Sequence, residues 1–431
     1  MKKRNAIFCL ILLATFVYLG CGSTKTIEDL QEGYLHIVCG STNSVRPYSV
    51  EPEQGTLIQL NRGSVITPGN WSATTPILSG AAVTGNSHLF LLESGQNELQ
   101  AMAINLTDGT LTFVQTLALG FPSGQSANRL YYQNNQLVIA YRGGGNTGDH
   151  FDIVNWNGSA LVKAAGSPFG LTRILPGSGL FQDGHLFFCA EPAGLGSPVV
   201  LHHFTVDATT GVATAAGTAN LVTTDVTAYE FGFHFDGNRL FVATYGNGKN
   251  PAVDLVAVTD TTVTTLDSLV LATSGVSGGK VLKVGQRYIV GETRAQSLIH
   301  CFEIDGANNI SEATGFPVTL TNSSVISLDV AFGDYIYFRD TLSAMAPISR
   351  FRSSLVNIDG LTDVSTLTQT FNVLPQAAVR QGKLFVTPEG GGAPSQIHIM
   401  KADLTDGTLT EVGYATITNG NPHFPLFTLV P

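Results

Sequence analysis

A short apolar strand restarts eight times along this chain at nearly the same interval. Its leading residues are Leu35, Leu89, Leu137, Leu186, Leu240, Tyr288, Ile336 and Leu384, separated by 54, 48, 49, 54, 48, 48 and 48 residues. A period near fifty, with several short strands per unit, is the pattern of propeller blades. One such unit cannot bury both of its faces, so the units must stand side by side and close into a ring. Length alone suggests about three domains. Self-similarity overrides that prior and predicts one all-β β-propeller over residues 32–431, with eight four-stranded blades, or seven if one unit is degenerate.

Each unit repeats one order of events. In the second, Pro76–Val83, Leu89–Leu92, Leu99–Ile104 and Leu111–Leu117 read as four strands. Thr107-Asp108-Gly109-Thr110 separates the last two, and Asp-Gly suits a two-residue hairpin with positive φ. Residues Leu404 to Thr410 repeat this passage almost letter for letter, and Thr209-Thr210-Gly211-Val212 is a looser copy. These loops lack the alternating oxygen ligands and terminal glutamate of an EF-hand. The first unit begins abruptly at Tyr34 with three strands, and the carboxy terminus carries a spare, His423–Val430. Pairing the two ends would complete a blade and remove the exposed sheet edges.

The amino terminus reads as a targeting segment. Lys2, Lys3 and Arg4 precede fourteen apolar residues, Ala6 to Leu19, too few to span a bilayer comfortably. Tyr18-Leu19-Gly20-Cys21 then resembles the lipobox of bacterial lipoproteins. This divides the chain into a signal peptide (1–20), a tether lipidated at Cys21 (21–31) and the propeller (32–431). The lipid is expected to hold the protein in the cell envelope, and Gly22 points towards the outer membrane. Losing residues 1–20 removes three positive charges and no negative ones, moving the net charge from −10 to −13. Such an acidic chain repels phosphate backbones and anionic headgroups, so nucleic acid is not an expected partner. Cys39, Cys189 and Cys301 are three cysteines in separated repeats, which is no disulfide framework.

Strands such as Leu240-Phe241-Val242-Ala243, the Asp-Gly-Thr-Leu hairpins, and Tyr288-Ile289-Val290-Gly291-Glu292 followed by Ile299–Ile304 are similar to those of lactonase-like propellers. That superfamily includes 6-phosphogluconolactonase and the YVTN repeats. The resemblance covers most of residues 32–431 and implies two alternatives, because such propellers host lactone hydrolases and pure binding proteins. For a lactonase it implies His423, in Pro422-His423, as base on water, Arg173 steadying the oxyanion, and Glu292 at the acidic position. No single unit carries the whole family pattern, so a binding module is the leading expectation and a lactone hydrolase the alternative.

Other candidates come from the residues themselves. Acidic groups recur where second strands end, at Glu93, Glu191, Glu292, Asp340 and Glu389. Convergence would raise their pKa values or recruit a cation such as Ca²⁺; solvated strand ends are the plainer alternative. In Tyr229–Phe235, alternation puts Glu230 and His234 on one side and aromatics on the other. His202 and His203 fall on opposite faces and cannot chelate together. No transition-metal spacing occurs, and no cofactor is otherwise implied. Gly275–Val281 mimics a phosphate loop, but Ser274 and Val281 stand at its defining positions and no helix follows. The expected protein is a monomeric, lipid-anchored module, with a host or envelope protein or a glycan as its ligand.

Overall fold

Gly33–Cys39 pairs on one side with Ser44–Val50 and on the other with Pro422–Leu429, so the two ends of the chain build one sheet. Leu35 lies opposite Phe427 and Ile37 opposite Pro425. Pro422 and Pro425 are tolerated because this innermost strand has a free edge, where a missing N–H breaks no ladder. The structure, a computed structural model, describes residues 33–429 except 40–43, 51–56, 61–80, 85–86, 94–97, 121–124, 144–148, 172, 191–196, 225–228, 247–251, 272–279, 292–297, 321–322, 343–348, 358, 370–371, 374–377, 381–383, 391–394 and 418–421. The expected signal segment (1–20) and tether (21–31), with Cys21, lie outside the described residues, as do residues 76–80 of the expected first strand of the second unit.

Among the described residues the strands pair into eight antiparallel sheets, each with a four-strand core. We call them blades 1 to 8 in chain order and number strands outward from the centre, so Pro422–Leu429 is the first strand of blade 1. Each sheet touches its neighbours in sequence order, and blade 1 packs on both blade 2 and blade 8. The ring is closed.

The core lies between blades. Phe187 and Leu201 of blade 4 pack with Phe235, Leu240 and Val256 of blade 5. Ile289 and Ile299 of blade 6 meet Ile336 and Phe338 of blade 7. Leu35 and Ile37 meet Ile397 and Ile399 of blade 8, sealing the ring. Each buried side chain of this size contributes about 1.5–3 kcal/mol, and no blade could collect that alone. The three cysteines are buried and unbonded within this packing, and burial raises the Cys39 thiol to about 11.

The Asp-Gly loops are longer than the expected two-residue hairpin. The Asn105 N–H donates to the Thr110 carbonyl (2.8 Å) and the Gly109 N–H to the Asn105 carbonyl (2.7 Å), leaving residues 106–109 in the loop. Asp207–Val212 and Asp403–Thr408 repeat the pattern. The first residue caps the loop, as Asn105 Oδ1 accepts from the Thr107 N–H (2.9 Å). Glycine serves a second purpose here. At Gly109 φ is +71°, and a Cβ would stand 2.4 Å from the Tyr34 ring of blade 1. Tyr34 donates its hydroxyl to the Leu106 carbonyl (3.0 Å). Gly407 meets Tyr335 of blade 7 in the same way. Each loop therefore docks onto the preceding blade.

One polar position recurs in every third strand. Arg46, Gln100, Asp152, His202, Asp254, His300, Arg352 and His398 stand opposite Ile37, Leu91, Ile139, Phe188, Val242, Val290, Phe338 and Thr387. Six of them are buried; Arg46 and His202 are half-buried. Most are satisfied from the fourth strand: His300 by Glu312 (2.5 Å), His398 by Glu411 (2.7 Å), Asp254 by Ser268 (2.5 Å) and Asp152 by Lys163 (2.9 Å). The ring thus contains a polar belt that its apolar periodicity does not announce.

Candidate functional site

Second strands end, and first strands begin, at one end of the central channel. Strand register gives the heights of residues there. On each second strand, the position one residue beyond the one opposite the polar belt is Val38, Leu92, Ala140, Cys189, Ala243, Gly291, Arg339 and Pro388 in blades 1 to 8. Seven are small or apolar, and one is a guanidinium. Arg339 is fully buried and donates from Nε (2.8 Å) and Nη2 (2.6 Å) to the two carboxylate oxygens of Asp329.

A break in the ladder places Asp329. The first strand of blade 7, Ser323–Phe332, shifts register between Leu328 and Val330, so Asp329 has no direct partner on the second strand. Such bulges re-aim side chains. Lys280, just before the first strand of blade 6 (Leu282–Val284), completes the cluster and donates from Nζ to the Asp329 carbonyl (2.7 Å). Extending the Leu282↔Ile289 register by two residues puts Lys280 level with Gly291, the height of Arg339. Lys280 is an exposed residue, with its ammonium part-buried where it meets Asp329. That desolvation holds its pKa below the ordinary lysine value.

Asp340, one residue further, faces away from this cluster. Fully buried, it accepts from Arg350 (2.8 and 2.6 Å) and Arg352 (3.0 Å). Arg352 also reaches Asp363. Asp340 is therefore the hub of a charge network inside blade 7. Glu93 and Glu389 lie at the ends of their second strands at the same height, opposite Glu98 and Val373; their side chains are outside the described set. Glu191 and Glu292 lie outside the described residues altogether.

His423 sits in a bulge, because Cys39 pairs with Pro422 while Val38 pairs with Phe424. That places it at the same channel end as Arg339, in blade 1. Arg173 is exposed beside Ile174, where the first strand of blade 4 begins. Of the sequence-predicted trio, His423 and Arg173 thus lie at one end but in blades 1 and 4, which are not adjacent, and Glu292 lies outside the described residues.

His234 lies opposite Phe241 and Glu230 opposite Tyr245, four residues apart along the first strand of blade 5. That separation is about 13 Å at strand rise. The His234 ring stands edge-on to Tyr288 of blade 6 at 5.6 Å, and burial, then the Lys283 charge, lower its pKa. It is an inter-blade side chain. His203 is buried and stacked on Phe187 (4.8 Å), whereas His202 on the opposite face is half-buried. Among the described residues no three His, Cys, Asp or Glu side chains come together as a metal site.

Sequence reasoning missed Lys280, Asp329 and Arg339. The available signal was Arg339 itself, a cation at a place that is small or apolar in the other repeats.

No protein-family model matches the sequence, and no curated protein matches it. Solved structures do. A candidate 6-phosphogluconolactonase from Bacteroides fragilis NCTC 9343 aligns over 94% of this chain and 99% of its own, at 13% identity and a TM-score of 0.50. A second candidate 6-phosphogluconolactonase, from Bacteroides uniformis ATCC 8492, aligns over 92% and 100%, at 12% identity and 0.54. The C-terminal WD40 domain of Sif2 covers 80% and 87%, at 14% identity and 0.54. At these identities the likeness carries the fold alone, and it reaches structures of different kinds. The chain is a β-propeller with the fold of the lactonase-like structures.

Proposed function

We propose that this chain is an exported, lipid-anchored propeller that binds a ligand at the channel end where second strands finish. One observation carries the reading. Seven blades keep a small or apolar residue at a position where blade 7 holds Arg339, bonded to a bulged Asp329 beside Lys280. Replacing a buried ion pair by apolar side chains is often neutral or stabilising, so scaffold stability is a poor reason for the departure. The cationic head, the fourteen-residue apolar stretch and Cys21 support export and acylation. The ligand is a glycan or a protein of the envelope or host.

A lactone hydrolase is the second reading, favoured by the fold shared with the candidate 6-phosphogluconolactonases and by His423 in a bulge at the same channel end. One experiment separates the two. The mature protein is assayed against a lactone panel while binding to envelope glycans and surface proteins is followed by calorimetry. Binding without turnover is the expected result. Turnover abolished by His423→Ala would install the hydrolase instead. Labelling cells with a palmitate analogue tests the anchor: incorporation should vanish in Cys21→Ser.

A further inference from the structure

Lys280 is the exposed member of the blade 6–7 cluster. Both carboxylate oxygens of Asp329 accept from the Arg339 fork, so that anion is already neutralised by a buried cation. What Asp329 offers Lys280 is its backbone carbonyl, at 2.7 Å. A carbonyl orients an ammonium but does not cancel its charge. Lys280 thus brings an exposed positive charge to the channel wall of a chain whose net charge is −10. A local positive focus on an acidic molecule steers an anion to one place. Among the described residues, Lys280 stands two positions before the first strand of blade 6 and Arg173 one position before that of blade 4.

We infer that Lys280 recognises a carboxylate on the ligand of the channel end, an inference that rests on the ligand-binding reading above. Its ammonium commits one of three N–H groups to Asp329 and has two for an oxyanion. A carboxylate matches the single charge of the Lys280 ammonium, whereas a phosphate dianion would bring two negative charges beside Asp329. The ligand class is an acidic saccharide or another small organic acid. Arg339 and Asp329 are positioning residues, since the guanidinium is fully buried and acts through the carbonyl that holds Lys280.

The test uses the full-length protein with lysines labelled with ¹³C at Cε, which leaves the ammonium intact, the Lys280 resonance being assigned by its loss in Lys280→Arg. Glucuronate should shift that resonance saturably, and methyl glucoside should not. Lys280→Met should weaken glucuronate binding by about tenfold or more, with the melting temperature unchanged. An unmoved resonance, or an equal shift with chloride, overturns the assignment. Calorimetric binding of neutral glycans with that resonance still would sink the carboxylate site while leaving the ligand-binding reading standing. Lactone turnover with no binding of either kind would sink both.

Discussion

Blade 7 and the junction of blades 1 and 2 occupy equivalent places in one ring, yet they are held by different chemistry. At the recurring polar position of the third strand, blade 7 has Arg352, bonded to Asp340 and Asp363. Blade 2 has Gln100, fully buried, with no partner for its amide among the described residues. Where blade 7 fixes formal charges against each other, the blade 1–2 junction keeps its groups neutral. His36 is fully buried with Nε2 3.2 Å from the Gly109 carbonyl, and burial lowers its pKa to about 4. The fold tolerates either solution because the surrounding apolar packing supplies the stability. What the polar position holds can therefore follow a local need, and in blade 7 that need lies beside the channel.

The sharpest way to break this comparison is Asp340→Ala. It takes the carboxylate from Arg350 and one of two carboxylates from Arg352 inside blade 7, and should cost about 3–5 kcal/mol, read from urea unfolding. A loss below 1 kcal/mol would mean that the network is ornamental. Asp329→Ala should cost a similar amount or slightly less. The double change Asp329→Leu with Arg339→Met should recover most of it, because an apolar pair of similar volume removes the desolvation penalty. A double variant no better than the single one would make the ion pair structural and weaken the functional reading of blade 7.

The neutral junction responds to pH instead. The folded His36 stays neutral down to about 4, whereas in the unfolded chain it protonates near 6.5. Between those values the unfolded state binds the extra proton, so stability is complete above about 6.5 and falls as pH drops towards 4. His36→Phe should flatten that acid limb by up to about 1.4 kcal/mol per pH unit; an unchanged slope in melts at pH 4 to 7 would refute it. The smallest effect is expected at Gln100→Leu, neutral or stabilising by about 1 kcal/mol, since a buried amide without a partner is replaced by an apolar group. A clear loss of melting temperature there would reveal a partner beyond the described residues.

Much of the architecture was legible in the residues. The recurrence from Leu35 to Leu384 implied blades, and the spare strand at His423–Val430 implied closure, which Leu35 opposite Phe427 displays. The Asp-Gly loops were recognised as hairpins but given too few residues, because their length depends on docking against Tyr34 and Tyr335 of the preceding blade. No local propensity encodes a ring packed 70 residues away. The ends of second strands are where the sequence gathers its recurring acids, Asp340 among them. The burial of Asp340 among arginines was hidden, since strand spacing says which end a carboxylate occupies but not which neighbour it meets.

The sequence by itself determined the repeat, the all-β class and the order of strands, because these follow from apolar periodicity and turn residues close along the chain. Tertiary structure alone decided that Asp329 leaves the ladder, that Arg339 is sealed behind it and that Lys280 of another blade joins them. Those three residues lie up to 59 positions apart. Bulges and inter-blade pairing arise only when sheets press together, so chemistry built on them becomes visible only in the closed ring.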